Sequence, residues 1–197
     1  MIASVTGHRP DKLYGYNLTN PKYETMKENF KKILRENGCT EAITGMALGV
    51  DTIFALAVLE LKKEGYDIKL HCAVPCNRQC CKWNQESIDQ YYDILSKADV
   101  IYGMEESKEK YIELILEKED DEYVLIKKSL YALPITREMK YFQTYKPYLM
   151  QVRNEYMVNL ADKVIAVWDG SSGGTGNCVA YAKKKEKEII MIDPSTI

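Results

Sequence analysis

Short apolar runs alternate along this chain with longer stretches of helical periodicity. Six runs are short and mostly apolar, which predicts strands at residues 2–6, 41–44, 68–74, 99–102, 163–168 and 188–192. Five stretches space their apolar residues three and four positions apart, which predicts helices at residues 23–37, 49–64, 84–97, 151–161 and 175–187. Strands that alternate with helices form right-handed βαβ units. The pattern therefore predicts an α/β fold with a doubly wound, mainly parallel sheet.

Residues 104–148 interrupt this alternation, and we predict an insertion there, before the last two strands, packed on or beside the sheet. Four apolar residues are spaced as one stripe of a helix: Tyr111, Ile112, Ile115 and Leu116. Residues 122–130 fit either a short strand or a helix. Nine acidic residues and three lysines lie between positions 105 and 122, which is typical of a solvated face; the alternative is a lid or a partner surface. We predict one domain over residues 1–197, with this insertion included.

Composition limits the classes of partner. The chain has 197 residues, 46% of them hydrophobic, and a formal net charge of −2. A balance of this kind is typical of a globular domain without a general basic surface, so a nucleic-acid partner is not expected. No run approaches the roughly 18 apolar residues of a membrane span, and the first ten residues do not resemble a signal peptide. We therefore expect a cytoplasmic protein that does not contact a membrane.

Cysteines are the one residue type with a conspicuous cluster. Four of the six lie close together, beside His71: Cys72, Cys76, Cys80 and Cys81. They contain no CxxC pair, and zinc sites usually space their ligands more regularly. In a reducing compartment we expect buried hydrophobic thiols and loop thiols. We predict neither a metal site nor a cofactor.

Three loops that follow predicted strands carry residues suited to a ligand. The first, "TGHRP", offers Gly7, His8 and Arg9, and the arginine has a fixed fork of donors that matches phosphate. The second, "ITGMALGVD" at residues 43–51, contains Gly45, Gly49 and Asp51 and leads directly into a helix. Backbone N–H groups at such a helix N-terminus bind anions. Asp51 either complements the helix dipole or accepts a hydrogen bond from a ribose or base.

The third loop, at residues 75–83, contains Gln79 and Trp83, which could flank a base or pack in the core. A fourth segment at residues 153–182 begins with Arg153 and Asn154 on a helix and continues through a strand to Asp169. A turn rich in glycine then opens the last helix: Gly173, Gly174, Thr175, Gly176 and Asn177. It is neither a Walker A loop nor a GxGxxG motif. Two strand–glycine–helix turns in one parallel sheet nevertheless favour an anion site between neighbouring helix ends.

Together, "TGHRP", "ITGMALGVD", "AVPCNRQCCKW" and "RNEYMVNLADKVIAVWDGSSGGTGNCVAYA" resemble the YpsA-like family of the SLOG superfamily, which includes the Smf/DprA proteins and the LOG phosphoribohydrolases. The resemblance covers most of the chain outside residues 104–148. It implies a Rossmann-like sheet that binds a nucleotide or a nucleotide-derived ligand. It also implies a pocket lined by Gly7, Arg9, Gly45, Gly49, Asp51, Arg153, Asn154, Asp169, Gly173, Gly174, Thr175 and Asn177.

The resemblance also indicates which residues catalysis of the LOG type would need. The LOG enzymes cleave nucleotide N-glycosidic bonds with an arginine, which Arg153 matches, and a glutamate just after the glycine turn. Here the glutamate position falls within residues 178–180, Cys-Val-Ala, which supply no carboxylate. Cleavage would need Asp51, Glu155 or Asp169 instead. Asp169, at the end of a strand just before the glycine turn, is the best substitute, so Arg153 and Asp169 are the catalytic candidates. The DprA branch binds single-stranded DNA, but no basic stripe is present.

We therefore expect a protein that senses or sequesters a nucleotide-type small molecule, such as an ADP-ribose-type signal, without turning over simple nucleoside monophosphates. The alternatives are a LOG-like nucleotide N-glycosidase and a DprA-like protein that binds single-stranded nucleic acid. We expect Arg9 and the turn at residues 173–175 to converge on one anion. We also expect a homodimer or a larger homo-oligomer, since Rossmann-like proteins with an exposed helix face often pair through isologous contacts.

Overall fold

The computed structural model describes residues 1–105, 110–128, 140–141 and 143–197. It contains eight strands: β1 (Ile2–Gly7), β2 (Glu41–Thr44), β3 (Lys69–Val74), β4 (Val100–Glu105), β5 (Lys110–Glu119), β6 (Glu122–Lys127), β7 (Lys163–Val167) and β8 (Glu188–Ile192). Its helices are α1 (Pro21–Glu36), α2 (Val50–Lys63), α3 (Gln85–Ser96), α4 (Pro147–Leu160) and α5 (Gly174–Lys184). The predicted α/β class is confirmed. Most boundaries agree within three residues, but α4 begins four residues before the predicted start, at a proline suited to the first helical turn.

All eight strands form one sheet in the order β6-β5-β4-β3-β2-β1-β7-β8. Strands β1 to β4 and β7 and β8 pair in parallel. Helix α2 packs on β1, β2 and β3 and forms one helical layer with its neighbours α1 and α3. Helices α4 and α5 pack on the other face of the sheet and form the second layer. The chain builds outward from β1 to β4 and then returns to add β7 on the opposite side of β1. The order therefore reverses between β1 and β7, which is where open α/β sheets bind ligands.

The insertion corrects one prediction. The residues predicted as a helical stripe, Tyr111, Ile112, Ile115 and Leu116, lie on the strand β5, which pairs antiparallel with β4. The helix prediction is wrong because Ile112, Leu114 and Leu116 alternate toward the core in the two-residue period of a strand. The local sequence "YIELIL", residues 111–116, fits both the helical and the strand period, and pairing with β4 selects the strand.

The segment left open between strand and helix begins with the strand β6, which pairs antiparallel with β5. Asp120 and Asp121 connect the two strands, and both have positive φ, 47° and 66°, as a tight hairpin turn requires. The two strands extend the sheet beyond β4. The remainder of the prediction for residues 122–130, at 129 and 130, lies outside the described residues, as does much of the predicted insertion.

Within the described ranges, no helix is both long enough and apolar enough to cross a membrane. The six cysteines are free thiols, five of them buried and Cys81 exposed. Burial raises the pKa of the thiols of Cys72, Cys76 and Cys80. In the part of the chain that the structure describes, no three His, Cys, Asp or Glu side chains are grouped to hold a metal ion.

Candidate functional site

A cleft of about 330 Å³ lies at the carboxyl ends of β1 and β7, where the strand order reverses. The loop after β1, the first turn of α2, the middle of α4 and the turn before α5 surround it. Its lining residues are Thr6, Gly7, His8, Arg9, Asp11, Lys12, Ala47, Asp51, Met150, Arg153, Asn154, Ser171, Ser172, Gly173, Gly174 and Thr175. The sheet topology thus brings the loop after β1 beside the start of α2 and beside the turn before α5, where Lys12 and Ser171 meet across 159 positions of sequence.

Arg153 forms part of the cleft wall from α4, and its side chain is buried. Its guanidinium donates a short hydrogen bond to the carbonyl of Gly45, and its Nε–H donates to Asn154 Oδ1 at 2.9 Å. A Cβ on Gly45 would collide with that guanidinium. Gly45 is therefore required by the approach of the arginine, and it does not itself line the cleft.

The Gly45 loop is held from a second side by Gln79. The Gln79 Nε2–H₂ group donates to the carbonyls of Gly45 and Met46, at 3.0 and 2.9 Å. Met46 is buried and has a positive φ of 57°, a conformation that non-glycine residues rarely adopt. Of the two roles open for Gln79, the structure shows the packing role. The sequence carried no sign that this amide fixes the loop behind Arg153.

Asp51 lies in the first turn of α2, lines the cleft and is only 8% exposed. Burial raises the pKa of its carboxyl, while the positive charges of Arg153 and Arg9 act against that rise. The same burial lowers the pKa of Arg153, and Asp51 opposes that decrease. The two groups are therefore an electrostatically coupled pair of opposite charge buried at the cleft, with no direct hydrogen bond or ion pair between their side chains. The more exposed Arg9 adds a second positive charge near Asp51.

The turn before α5 supplies backbone donors. Gly173 is the N-cap residue of α5, with a φ of 144°, and no side chain caps this helix end. Gly174 and Thr175 follow in the first turn and line the cleft. An uncapped N-terminus presents unsatisfied N–H groups and the positive end of the helix dipole. The cleft therefore has a site suited to an anion at one end.

Asp169 lies behind this turn rather than among the residues that line the cleft. The Ser171 hydroxyl and the Ser171 N–H donate to its carboxylate, the latter at 2.8 Å, and His8 Nε2–H donates at 2.7 Å. These hydrogen bonds hold the pKa of Asp169 well below its ordinary value of 3.8. The arrangement joins the end of β7 to the loop after β1 and is suited to shaping the cleft.

A prediction follows for Asp169→Asn. Because the folded-state pKa of Asp169 is lowered, its carboxylate stabilises the fold above the ordinary pKa of 3.8, and that stabilisation is lost as the pH falls toward the folded-state pKa. The melting temperature of the variant should therefore lie below that of the wild type at pH 7 and approach it between pH 4 and pH 2. Asp67→Asn, at an exposed aspartate before β3, is the control. An Asp169→Asn deficit that stays constant to pH 2 would contradict this role.

The structure places most of the predicted residues around the cleft. Nine of them line it: Gly7, His8, Arg9, Asp51, Arg153, Asn154, Gly173, Gly174 and Thr175. Gly45, Gly49 and Asp169 lie outside the lining, and Asn177 is exposed on α5, also outside it. Position 49 requires a glycine for two reasons. Its φ is positive, at 93°, and a Cβ there would lie 2.7 Å from the carbonyl oxygen of His8.

Sequence reasoning missed several lining residues. Lys12 lies on the short 3-10 turn after Arg9, and its Nζ donates to Ser171 Oγ at 3.1 Å, across the cleft. Met150 enters from the first turns of α4, which the sequence predicted to start later. Lys12 follows "TGHRP" by two positions, so its proximity in sequence could have indicated it.

Two known proteins match most of this chain in sequence. The SPbeta prophage-derived protein YoqJ of Bacillus subtilis is 32% identical over 171 residues, covering 85% of this chain and 85% of its own length. A UPF0398 protein of Bacillus thuringiensis is 24% identical over 191 residues, covering 95% of this chain and 85% of its own length.

Two solved structures of DNA processing protein A share the fold. The Streptococcus pneumoniae protein has a TM-score of 0.55 and 13% identity, and the match covers 97% of this chain and 50% of that one. The Helicobacter pylori protein, described by its single-stranded DNA binding mode, has a TM-score of 0.56 and 16% identity, with coverage of 98% and 65%. This chain thus spans half to about two thirds of those proteins, and at such identity the likeness shows the fold alone.

The YspA SLOG family model matches residues 3–139, well over half of the chain and including the first two loops of the cleft. The resemblance found in the sequence motifs is thereby confirmed. This chain belongs to the YspA SLOG family.

Proposed function

We propose that the cleft binds a nucleotide or a nucleotide-derived small molecule, and that the protein senses or sequesters this ligand. The observation that carries the proposal is the convergence of Arg9 and the uncapped N-terminus of α5 on one cleft at the strand-order reversal. Both groups favour a phosphate. The volume of about 330 Å³ lies at the lower end of the range for small-molecule sites, which suits one nucleotide unit.

Each part of the cleft has a role in this proposal. The N–H groups of Gly174 and Thr175 and the guanidinium of Arg9 hold the phosphate. The side chain of Arg9 makes no hydrogen bond or ion pair with the described residues, so its donors are available. The buried pair of Asp51 and Arg153 offers an acceptor and donors to a sugar or base.

Arg9→Ala provides the test. We expect a roughly 10- to 100-fold loss of nucleotide affinity, the range of charge-assisted hydrogen bonds, with little change in melting temperature because Arg9 is exposed. Isothermal titration with AMP, ADP and ADP-ribose measures the loss, after mass spectrometry of small molecules released from the purified protein. Arg35→Ala removes an equal charge on α1, beside Glu64 and away from the cleft, and should bind like the wild type. Equal affinity in the two variants would refute the proposal.

A second function, cleavage of the N-glycosidic bond, has one observation in its favour. Asp51 is a carboxyl in the cleft whose pKa is raised by burial, as in general acids. The carboxylate of Asp169, the other candidate, already accepts hydrogen bonds from His8 and Ser171. Chromatography of AMP incubated with the protein tests this function. We expect no free base; base release that Asp51→Asn abolishes would favour the enzyme.

A further inference from the structure

A second cavity, of about 370 Å³, adjoins the cleft beside Arg9. We call it the side groove. Its lining residues are Arg9, Pro10, Asp11, Tyr16, Leu48, Lys82, Trp83, Asn84 and Ser87. Arg9 and Asp11 line both cavities, so the segment after β1 forms their common wall. A ligand whose phosphate contacts Arg9 would therefore lie next to both cavities.

The side groove contains two cations that are available to a ligand. Neither the Arg9 guanidinium nor the Lys82 ammonium makes a hydrogen bond or an ion pair with residues in the described ranges. Both are exposed, and Lys82 lies directly before Trp83 in the loop that leads to α3. Among the described residues that line the groove, Asp11 is the one carboxylate. Two free cations with a single acid favour a small anionic group, and the acid can accept a hydrogen bond from a hydroxyl.

The groove also contains two aromatic side chains. Trp83 is half-buried, and its ring packs edge-on against Tyr91, with centroids 5.5 Å apart and planes at 89°. Tyr91 is only 3% exposed, so the indole is held by the core while part of it lines the groove. Tyr16, 61% exposed, also lines the groove. A fixed indole and a free phenol are suited to stacking on a planar base.

We propose that the ligand is a dinucleotide of the pyrophosphate-linked class, with its first nucleotide in the cleft and its second base in the side groove. This inference rests on the proposed function. The linking phosphates lie at Arg9 and Lys82, and the second base stacks on Trp83 with Tyr16 beside it. A single strand of nucleic acid is the weaker fit, because the two cavities expose few cations and Asp11 interrupts them, whereas strand binding depends on a continuous basic track.

Calorimetric titration of four probes tests the inference: AMP, diadenosine diphosphate, the dinucleoside monophosphate ApA and a ten-nucleotide oligothymidine. We expect diadenosine diphosphate to bind at least about 10-fold more tightly than AMP, from one additional stacked base and one additional phosphate. Trp83→Ala, Tyr16→Ala and Lys82→Ala should each reduce or remove this advantage and leave AMP affinity unchanged. Trp83→Phe should retain most of it, because a planar ring remains.

Matched controls separate stacking from folding. Trp83 also packs in the core, so the affinities of its variants are interpreted only if their melting curves show a folded protein. If Trp83→Ala unfolds, Tyr16→Ala still tests stacking in the side groove, because the Tyr16 side chain is exposed. Tyr145→Ala removes a tyrosine of similar exposure outside both cavities and should change no affinity.

The outcomes distinguish the two proposals. Equal affinity for AMP and diadenosine diphosphate, unaffected by the groove variants, overturns this inference and leaves the proposed function intact. Tighter binding of ApA or of the oligothymidine than of diadenosine diphosphate overturns it in favour of a nucleic-acid ligand. Failure of AMP, ADP, ADP-ribose and diadenosine diphosphate to bind overturns both proposals.

Discussion

Replacing Gly45 with alanine is expected to destabilise the protein by roughly 2–4 kcal/mol, the combined scale of overpacking and of displacing a buried charge. The added Cβ would occupy the position of the Arg153 guanidinium. Arg153 would lose its hydrogen bond to the Gly45 carbonyl and would move within a buried site. For a chain of this length the change corresponds to a decrease of roughly 5–15 °C in melting temperature.

Gly174→Ala is the matched control for stability. A Cβ there meets no atom within 4 Å, and the residue has a helical position at the start of α5. Differential scanning calorimetry of the two variants should show a large decrease for Gly45→Ala and almost none for Gly174→Ala. Comparable melting temperatures for Gly45→Ala and the wild type would mean that the Gly45–Arg153 contact does not constrain the loop.

Arg153→Met is expected to have the other large effect, a loss of roughly 2–4 kcal/mol at pH 7, the scale of a lost charge-assisted hydrogen bond to Gly45 and of a buried charge left without an opposing one. Methionine fills much of the volume of the arginine stem but leaves Asp51 buried without its counter-charge. The double variant Arg153→Met with Asp51→Asn should recover part of the loss, because the unpaired charge is then absent. Chemical denaturation of the wild type, the two single variants and the double variant gives the coupling free energy directly.

The pH dependence of Arg153→Met has a definite sign. Burial raises the pKa of Asp51, and removal of the arginine removes the largest opposing charge. A carboxyl with a raised folded-state pKa binds a proton more tightly in the folded protein than in the unfolded chain. Stability is therefore gained as the pH falls through the folded-state pKa toward the unfolded one.

The deficit of Arg153→Met relative to the wild type should accordingly shrink between pH 7 and pH 4.5. Measured against the Asp51→Asn single variant, the double variant should show a deficit that does not depend on pH over that interval, since residue 51 titrates in neither protein. A deficit in Arg153→Met that widens on acidification would contradict the pairing of Asp51 with Arg153.

The regular part of the fold could be predicted because its pattern is local. The strand at residues 41–44 has the same limits in the sequence prediction and in the structure, and α1 and α3 differ by one or two residues at each end. The strand β5 could not be predicted. Its apolar residues fit the period of a helix as well as that of a strand, and only the neighbouring edge of β4 selects between them.

The candidate site was predictable in part for the same reason. Arg9, Asp51 and the turn before α5 follow strands directly, and a parallel sheet places the ends of its strands along one edge. Lys12 and Met150 were missed, because they reach the cleft from a short turn and from a helix start that the sequence did not resolve. The predictions of nucleotide binding and of self-association stay predictions.

The sequence by itself determined the α/β class, the sheet edge at which the cleft lies and the loops that line it, since these depend on periodicity and on strand ends. The tertiary structure alone decided what individual residues do there. Gly45 makes room for an arginine 108 positions away, and Asp169 is joined to His8 across 161 positions. Such contacts form between loops that only the completed sheet brings together, so no local pattern in the chain encodes them.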